Sequence, residues 1–192
     1  MSNTNNNSQN NSQNNLPNAN EQCLQLANLI KQYFTNDDKS AVLIGIYSGG
    51  AWVVKKIKEI LQLPTQSIGF IDVSFYRDDY TKKGLTSSLK IKPTEIPVNL
   101  ENRHVILVDD VLFTGRTIRA AINEIFDYGR PSKIDIAVLA DRGLSNREIP
   151  FFANYCAWNF NDTNNQKLKL NKQKIDDKID LSWLIESEKI VK

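Results

Sequence analysis

Histidine and cysteine are scarce in this 192-residue chain, which has only His104, Cys23 and Cys156. No CxxC pair or Cys/His cluster exists, and this argues against a zinc site of ordinary ligand spacing. Two isolated cysteines read as reduced, buried small hydrophobes of a cytosolic protein. No apolar run approaches the ~18 residues of a membrane span, so no membrane partner is expected. The N-terminus lacks the charged region and apolar core of a secretory signal. Cytoplasmic is the default expectation. Charge of one sign is also missing: 24 Lys and Arg stand against 22 Asp and Glu, a formal net charge of +2. Bulk charge therefore does not point to nucleic acid. The phosphate loop GxxxxGK[ST] does not occur, and no internal repeat is visible.

The composition that is present suits one globular domain, with 41% hydrophobic residues. Residues 1–20 are almost all Asn, Ser and Gln without a charged side chain until Glu21, so a disordered tail is expected there. The single domain should occupy 21–192, with 161–192 a polar, Lys/Asp-rich variable segment that docks a short element. Leu24, Ala27, Leu29, Ile30, Tyr33 and Phe34 recur at helical spacing, which predicts a helix over 21–35. Residues 41–47 (AVLIGIY) read as a buried strand and 51–61 as an amphipathic helix. Residues 67–76 form another strand, and 77–99 a long loop. A strand over 104–109 leads to a helix over 115–128, with Gly129 as its C-cap, and 134–140 is a further strand. Alternating strands and helices predict an α/β fold with a mostly parallel sheet flanked by helices. In such sheets ligands sit beyond the carboxyl ends of the strands, here residues 48–50, 109–115 and 141–143.

The segment 105–117 (VILVDDVLFTGRT) carries the chemistry. An apolar strand delivers two adjacent carboxylates, Asp109 and Asp110. Val111, Leu112 and Phe113 follow, and Thr114, Gly115, Arg116 and Thr117 open a helix. A helix N-terminus offers unpaired N–H groups and a positive dipole end, which suit a phosphate. Gly115 allows close backbone approach, and Thr114 is placed for an N-cap. Two aspartates do not bind that same phosphate; they suit hydroxyls or a cation. A ligand with a phosphate at one end and a diol beside it, such as ribose 5-phosphate, meets both demands. The alternative for the acidic pair is a solvated strand end.

The string as a whole resembles the type I phosphoribosyltransferases, and the stretch 105–143, through GRP at 129–131 and DRG at 141–143, looks like the PyrR family. IDVSFYRDD at 71–79, the region 92–97 and Ile149-Pro150 fit the same family. PyrR proteins attenuate pyrimidine operons and also act as uracil phosphoribosyltransferases. The resemblance runs from about 43 to 155. It implies a type I phosphoribosyltransferase fold with a mobile hood loop at 77–86, and conversion of uracil and 5-phosphoribosyl-1-pyrophosphate (PRPP) to UMP and pyrophosphate with Mg²⁺.

By that resemblance, Asp109 and Asp110 contact the ribose 2- and 3-hydroxyls and serve Mg²⁺ indirectly, through water and substrate. Residues 111–117 hold the 5-phosphate, and Ser48, Gly49 and Gly50 bind pyrophosphate. The family usually has Thr-Arg-Gly at this last place, so an arginine is missing. A flexible turn is the other reading. Arg77, with Lys82 and Lys83, would neutralise the leaving group under the closed hood, or else be loop charges and a local ion pair with Asp78 and Asp79. The base would lie near Asp141, Arg142, Trp158, Asn159 and Phe160, with Trp158 and Phe160 as plain core the alternative.

The family also implies messenger-RNA binding in response to UMP. Arg130, Lys133, Arg142 and Arg147 are candidate phosphate contacts, against scattered surface charge. Where the family has Gly-His-Arg-Glu, this chain has Gly143-Leu144-Ser145-Asn146-Arg147-Glu148, two residues longer and without histidine. Three readings follow: a uracil phosphoribosyltransferase, an RNA-binding attenuation regulator, and a degenerate nucleotide-binding relative with little catalysis. The family also implies a homo-oligomer.

Overall fold

The computed structural model describes residues 16–34, 41–73, 93–160 and 166–187. Helix α1 (Ala19–Ile30) starts where the Asn18 side chain accepts from the N–H groups of Asn20 and Glu21, at 2.9 and 3.3 Å. Its buried face is Ala19, Gln22, Cys23, Leu26, Ala27 and Ile30. The sequence expectation placed residues up to 20 in the tail. Ala19 is in fact buried and Leu16 packs on the core, so the fold takes in the last residues of the Asn-rich tract. Residues 1–15 lie outside the described residues.

Strands β1 (Val42–Ile46), β2 (Ile68–Ile71), β3 (His104–Leu112), β4 (Lys133–Asp141) and β5 (Tyr155–Asn159) form one sheet in the order β2-β1-β3-β4-β5. Every pairing is parallel, as alternation of strand and helix predicts. Helices α2 (Gly49–Leu61) and α3 (Arg116–Phe126) connect the strands. One apolar layer joins α1, α2 and the sheet through Leu26, Val54, Ile57, Ile106 and Val108. The other joins α3 and the sheet through Ile44, Leu107, Ile118, Ala121 and Ile125. A sheet covered on both faces has continuously apolar strands, and all five residues of β1 are buried.

Two boundaries differ from the sequence expectation. Strand β3 runs to Leu112 rather than ending at Asp109, because Val111 and Leu112 pair with Ala140 and Asp141 of β4. Helix α2 begins at Gly49 rather than Ala51, so both glycines belong to its first turn. Gly129 has φ +134°, and a Cβ there would lie 2.7 Å from the Glu101 nitrogen, so a glycine is needed just past α3.

The C-terminal segment is more regular than its composition suggested. Strands β6 (Gln166–Ile175) and β7 (Lys178–Ser187) make an antiparallel hairpin around Asp176 and Asp177, both at positive φ. Leu168, Leu170, Leu181 and Trp183 are buried. Asn20 Nδ2 donates to Asp180 Oδ1 at 2.9 Å, Lys56 Nζ to the Ile179 carbonyl at 2.8 Å, and Trp183 Nε1 to Gln22 Oε1 at 2.6 Å. The hairpin is thereby fixed on α1 and α2. No helix among the described residues is long and apolar enough to cross a membrane.

Candidate active site

The carboxyl ends of β1, β3 and β4, three neighbouring strands, bring residues 47–50, 109–117 and 141–143 to one edge of the sheet. The turn after β1 lies flat on β3. A Cβ built at Gly50 would overlap the Val108 carbonyl oxygen and approach Asp109 Cα to 3.0 Å. One built at Gly49 would overlap the carboxyl carbon and Oδ2 of Asp110 and lie 2.7 Å from its Oδ1. The preceding Tyr47–Ser48 peptide bond is cis. The Tyr47 phenol is pushed up from its ordinary pKa by burial first and then by the negative charges of Glu95 and Asp72.

The two aspartates are not equivalent. Asp109 is buried, with 3% of its surface exposed, and its Oδ1 accepts from the Asp110 N–H at 3.0 Å. That burial departs from the alternative of a solvated pair. Asp110 is half-buried and faces the turn at 48–50.

Beyond Leu112 the chain turns through Phe113, Thr114 and Gly115 into α3. Gly115 has φ +89°, and a Cβ there would lie 2.9 Å from the Ile149 carbonyl oxygen. The N–H groups of Glu148 and Ile149 both donate to the Thr114 carbonyl at 3.0 Å, so the segment after β4 clamps this turn. Thr114 Oγ1 accepts from the Arg116 N–H at 3.4 Å, a long version of the expected cap; Gly115 itself occupies the N-cap position. Thr117 lies in the first turn of α3, whose N–H groups open the helix. Arg116, expected beside a phosphate, instead pairs with Glu148: Nε and Nη2 lie 2.7 and 2.5 Å from Oε2. That carboxylate offsets the unfavourable position of a cation at a helix N-terminus.

At the end of β4, Asp141 Oδ1 accepts from the Gly143 N–H at 2.8 Å and from Arg147 Nη2 at 2.5 Å. The Arg142 guanidinium lies 4.0 Å from the centroid of the Phe113 ring, joining this loop to the one after β3. Arg142 is 8% exposed and the Arg147 side chain 3%. Both were candidates for a surface that meets RNA phosphates, and both turn inward. Gly143 has φ +77° and open space where a Cβ would stand.

Trp158 and Phe160 are brought to the same region but packed as core. Their rings are 4.9 Å apart, and Trp158 also meets Trp183 at 5.9 Å. The Phe160 N–H donates to the Asp141 carbonyl at 2.8 Å, and Asn159 pairs with Asp141 across the strands. Main chain at 159–160 is thus adjacent to the DRG loop, while the aromatic faces are engaged. Arg77, the neighbours Asp78, Asp79, Lys82 and Lys83, and the hood at 77–86 lie outside the described residues.

The model of the phosphoribosyl transferase domain family matches residues 12–161. The bifunctional protein PyrR of Nitrosococcus oceani is 37% identical over 147 residues, covering 76% of this chain and 81% of that one. The bifunctional protein PyrR of Pseudomonas syringae pv. tomato is 39% identical over 157 residues, 81% of this chain and 89% of that one. The chain belongs to the PyrR family of phosphoribosyltransferases. Its fold is likewise that of a solved hypoxanthine-guanine phosphoribosyltransferase from Bacillus anthracis, with a TM-score of 0.58 at 21% identity over 78% of this chain and 81% of that one.

For a phosphoribosyltransferase, the donor set suits a cation held chiefly by others. Among the described residues no three His, Cys, Asp or Glu side chains gather to hold a metal. The adjacent carboxylates of Asp109 and Asp110 are of the kind that Mg²⁺ takes together with water and phosphate oxygens. Sequence reasoning missed Glu148 as the partner of Arg116 and Asp141 as the partner of Arg147. Their signal was the adjacent Arg147 and Glu148 after the DRG, of which Arg147 was considered only as a phosphate contact or scattered surface charge and Glu148 only as the end of the altered family segment.

Proposed function

We propose that this phosphoribosyltransferase transfers the phosphoribosyl group of PRPP to uracil, yielding UMP and pyrophosphate. The observation that carries this reading is the meeting of the Asp110 carboxylate, the turn at 48–50 and the start of α3 on neighbouring strand ends. In the reaction, the bond from ribose C1 to the pyrophosphate oxygen breaks, a bond from C1 to the base nitrogen forms, and the base loses its proton. The 5-phosphate docks on the first turn of α3, where unpaired N–H groups and the positive dipole end suit an anion. Asp109 and Asp110 accept from the ribose hydroxyls and offer negative charge as positive charge develops at the sugar. Backbone at 48–50 receives the pyrophosphate. Mg²⁺ on the donor phosphates would supply charge neutralisation, its water shell held by Asp110 and Asp109. Main chain at 159–160, next to Asp141, is the part of this surface able to read a uracil edge.

The test is pyrophosphate release from PRPP, Mg²⁺ and a panel of bases, with nucleotide product identified. Turnover with uracil is expected. Tight UMP binding without turnover on any base would overturn the enzyme reading. Asp110→Asn should lower kcat by about 10²–10³-fold with little change in melting temperature. Equal loss of folding and activity would instead make the residue structural.

A further inference from the structure

The two glycines that open α2 meet different obstacles, and the difference assigns them different roles. At Gly50 a side chain would strike backbone, the Val108 carbonyl and Asp109 Cα. Those atoms are fixed by the pairing of β1 with β3, in which Gly45 stands opposite Val108. At Gly49 the three nearest atoms are all in the Asp110 carboxylate, and no backbone atom is nearer. A Cβ there would meet the carboxylate before any other atom and push it aside. Asp110 is short, with two side-chain torsions, and its carboxyl group would yield by turning about Cα–Cβ to another rotamer. In the chain as it stands, the carboxylate lies beside Gly49 in the first turn of α2, in the space that a side chain there would take.

We infer that Gly49 is a positioning residue: by having no side chain it seats the Asp110 carboxylate against the turn at 48–50 and fixes its direction into the site. The claim rests on the reading of Asp110 as a ligand of the ribose hydroxyls, and it goes beyond that reading by giving position 49 control over the carboxylate. It also gives the glycine a function of its own. The site has exchanged a side chain at the turn for a fixed acidic group, and any side chain at 49 acts on the donor through Asp110.

A double-mutant cycle tests this with PRPP and Mg²⁺ as the probe and calorimetric binding as the readout. Gly49→Ala in the wild-type background should weaken PRPP binding on the order of 10-fold. In the Asp110→Ala background, where no carboxylate stands in the way, the same substitution should change binding by less than about twofold. Gly49→Ala should melt within about 4 °C of wild type, and Gly50→Ala well below it. A crystal structure of Gly49→Ala should show the Asp110 carboxylate turned away from α2. An equal penalty in both backgrounds, or a carboxylate unmoved beside Ala at 49, overturns the inference. Failure of the wild type to bind PRPP would sink the donor reading instead, and the crystal structure would still decide whether position 49 directs Asp110.

Discussion

At the residue scale, the lone histidine is structural and sits at the end of the sheet opposite the candidate site. His104 Nε2 and Lys133 Nζ each lie 2.9 Å from Asp135 Oδ2. The Tyr155 hydroxyl lies 3.3 Å from the same oxygen and 2.8 Å from the Tyr33 hydroxyl, so that its one proton serves one of the two bonds. Asp135 is 1% exposed, so a carboxylate with several donors is enclosed at the amino ends of β3, β4 and β5. Burial alone would raise its pKa, but hydrogen bonds from Lys133 and His104, with their charges, outweigh this and hold it below the ordinary carboxylate value. A carboxyl more acidic folded than unfolded stabilises the fold above its unfolded pKa, and that contribution is lost as pH falls through the folded value. Thermal stability should therefore decline below about pH 4. Asp135→Asn should melt lower than wild type at pH 7 and lose less on acidification, as calorimetry across pH would show. Parallel acid limbs for the two proteins would remove Asp135 from the account. Cys23 is equally inward: burial pushes its thiol up to about 12, so it is no nucleophile at neutral pH.

At the element scale, Trp183 is an aromatic anchor among the contacts that hold the β6–β7 hairpin. Trp183 is 5% exposed, packs on Trp158, and donates to Gln22 in α1. Trp183→Ala removes this packing and leaves Gln22 Oε1 without that donor, so a loss of about 3–5 kcal/mol is expected in denaturant unfolding. Trp183→Phe keeps most of the packing and should cost about 1–3 kcal/mol. No cost for Trp183→Phe would mean that the indole hydrogen bond contributes nothing, and equal costs for the two variants would mean that the packing contributes nothing. The hairpin also shows why elements differ in legibility. The β-α-β pattern was readable because strands buried on both faces are apolar throughout, as in residues 42–46. The hairpin buries one face with Leu168, Leu170, Leu181 and Trp183, and its turn is Asp-Asp rather than a glycine pair, so neither signal was strong. Strand β3 was read as ending at Asp109 because apolar residues give way to acids there. Ladder pairing with β4 depends on backbone, and it carries the strand on to Leu112. The site follows the same rule. Residues 105–117 were legible because they are contiguous. The Gly49–Asp110, Arg116–Glu148 and Asp141–Arg147 contacts join segments that only the fold brings together.

At the scale of the whole molecule, the cations beside the candidate site bear on whether it can also meet RNA. The net charge is +2, and among the described residues three cations at the candidate site are paired or covered: Arg116 with Glu148, Arg147 with Asp141, Arg142 over Phe113. An RNA-binding face needs cations that can release counterions from phosphates, and each phosphate neutralised on a single strand steepens the salt dependence of log K by about 0.7. Of the four cations considered for such a face, Arg130 and Lys133 are exposed, and Lys133 already pairs with Asp135. Binding to a pyrimidine-operon leader transcript should therefore show a slope no steeper than about −1.4 between 50 and 200 mM salt, and should not respond to UMP. Filter binding across that range, with and without UMP, checks both points. A steep slope together with tighter binding in UMP would mean that cations outside this patch make the contact, and would make the attenuation regulator a second activity of the same fold.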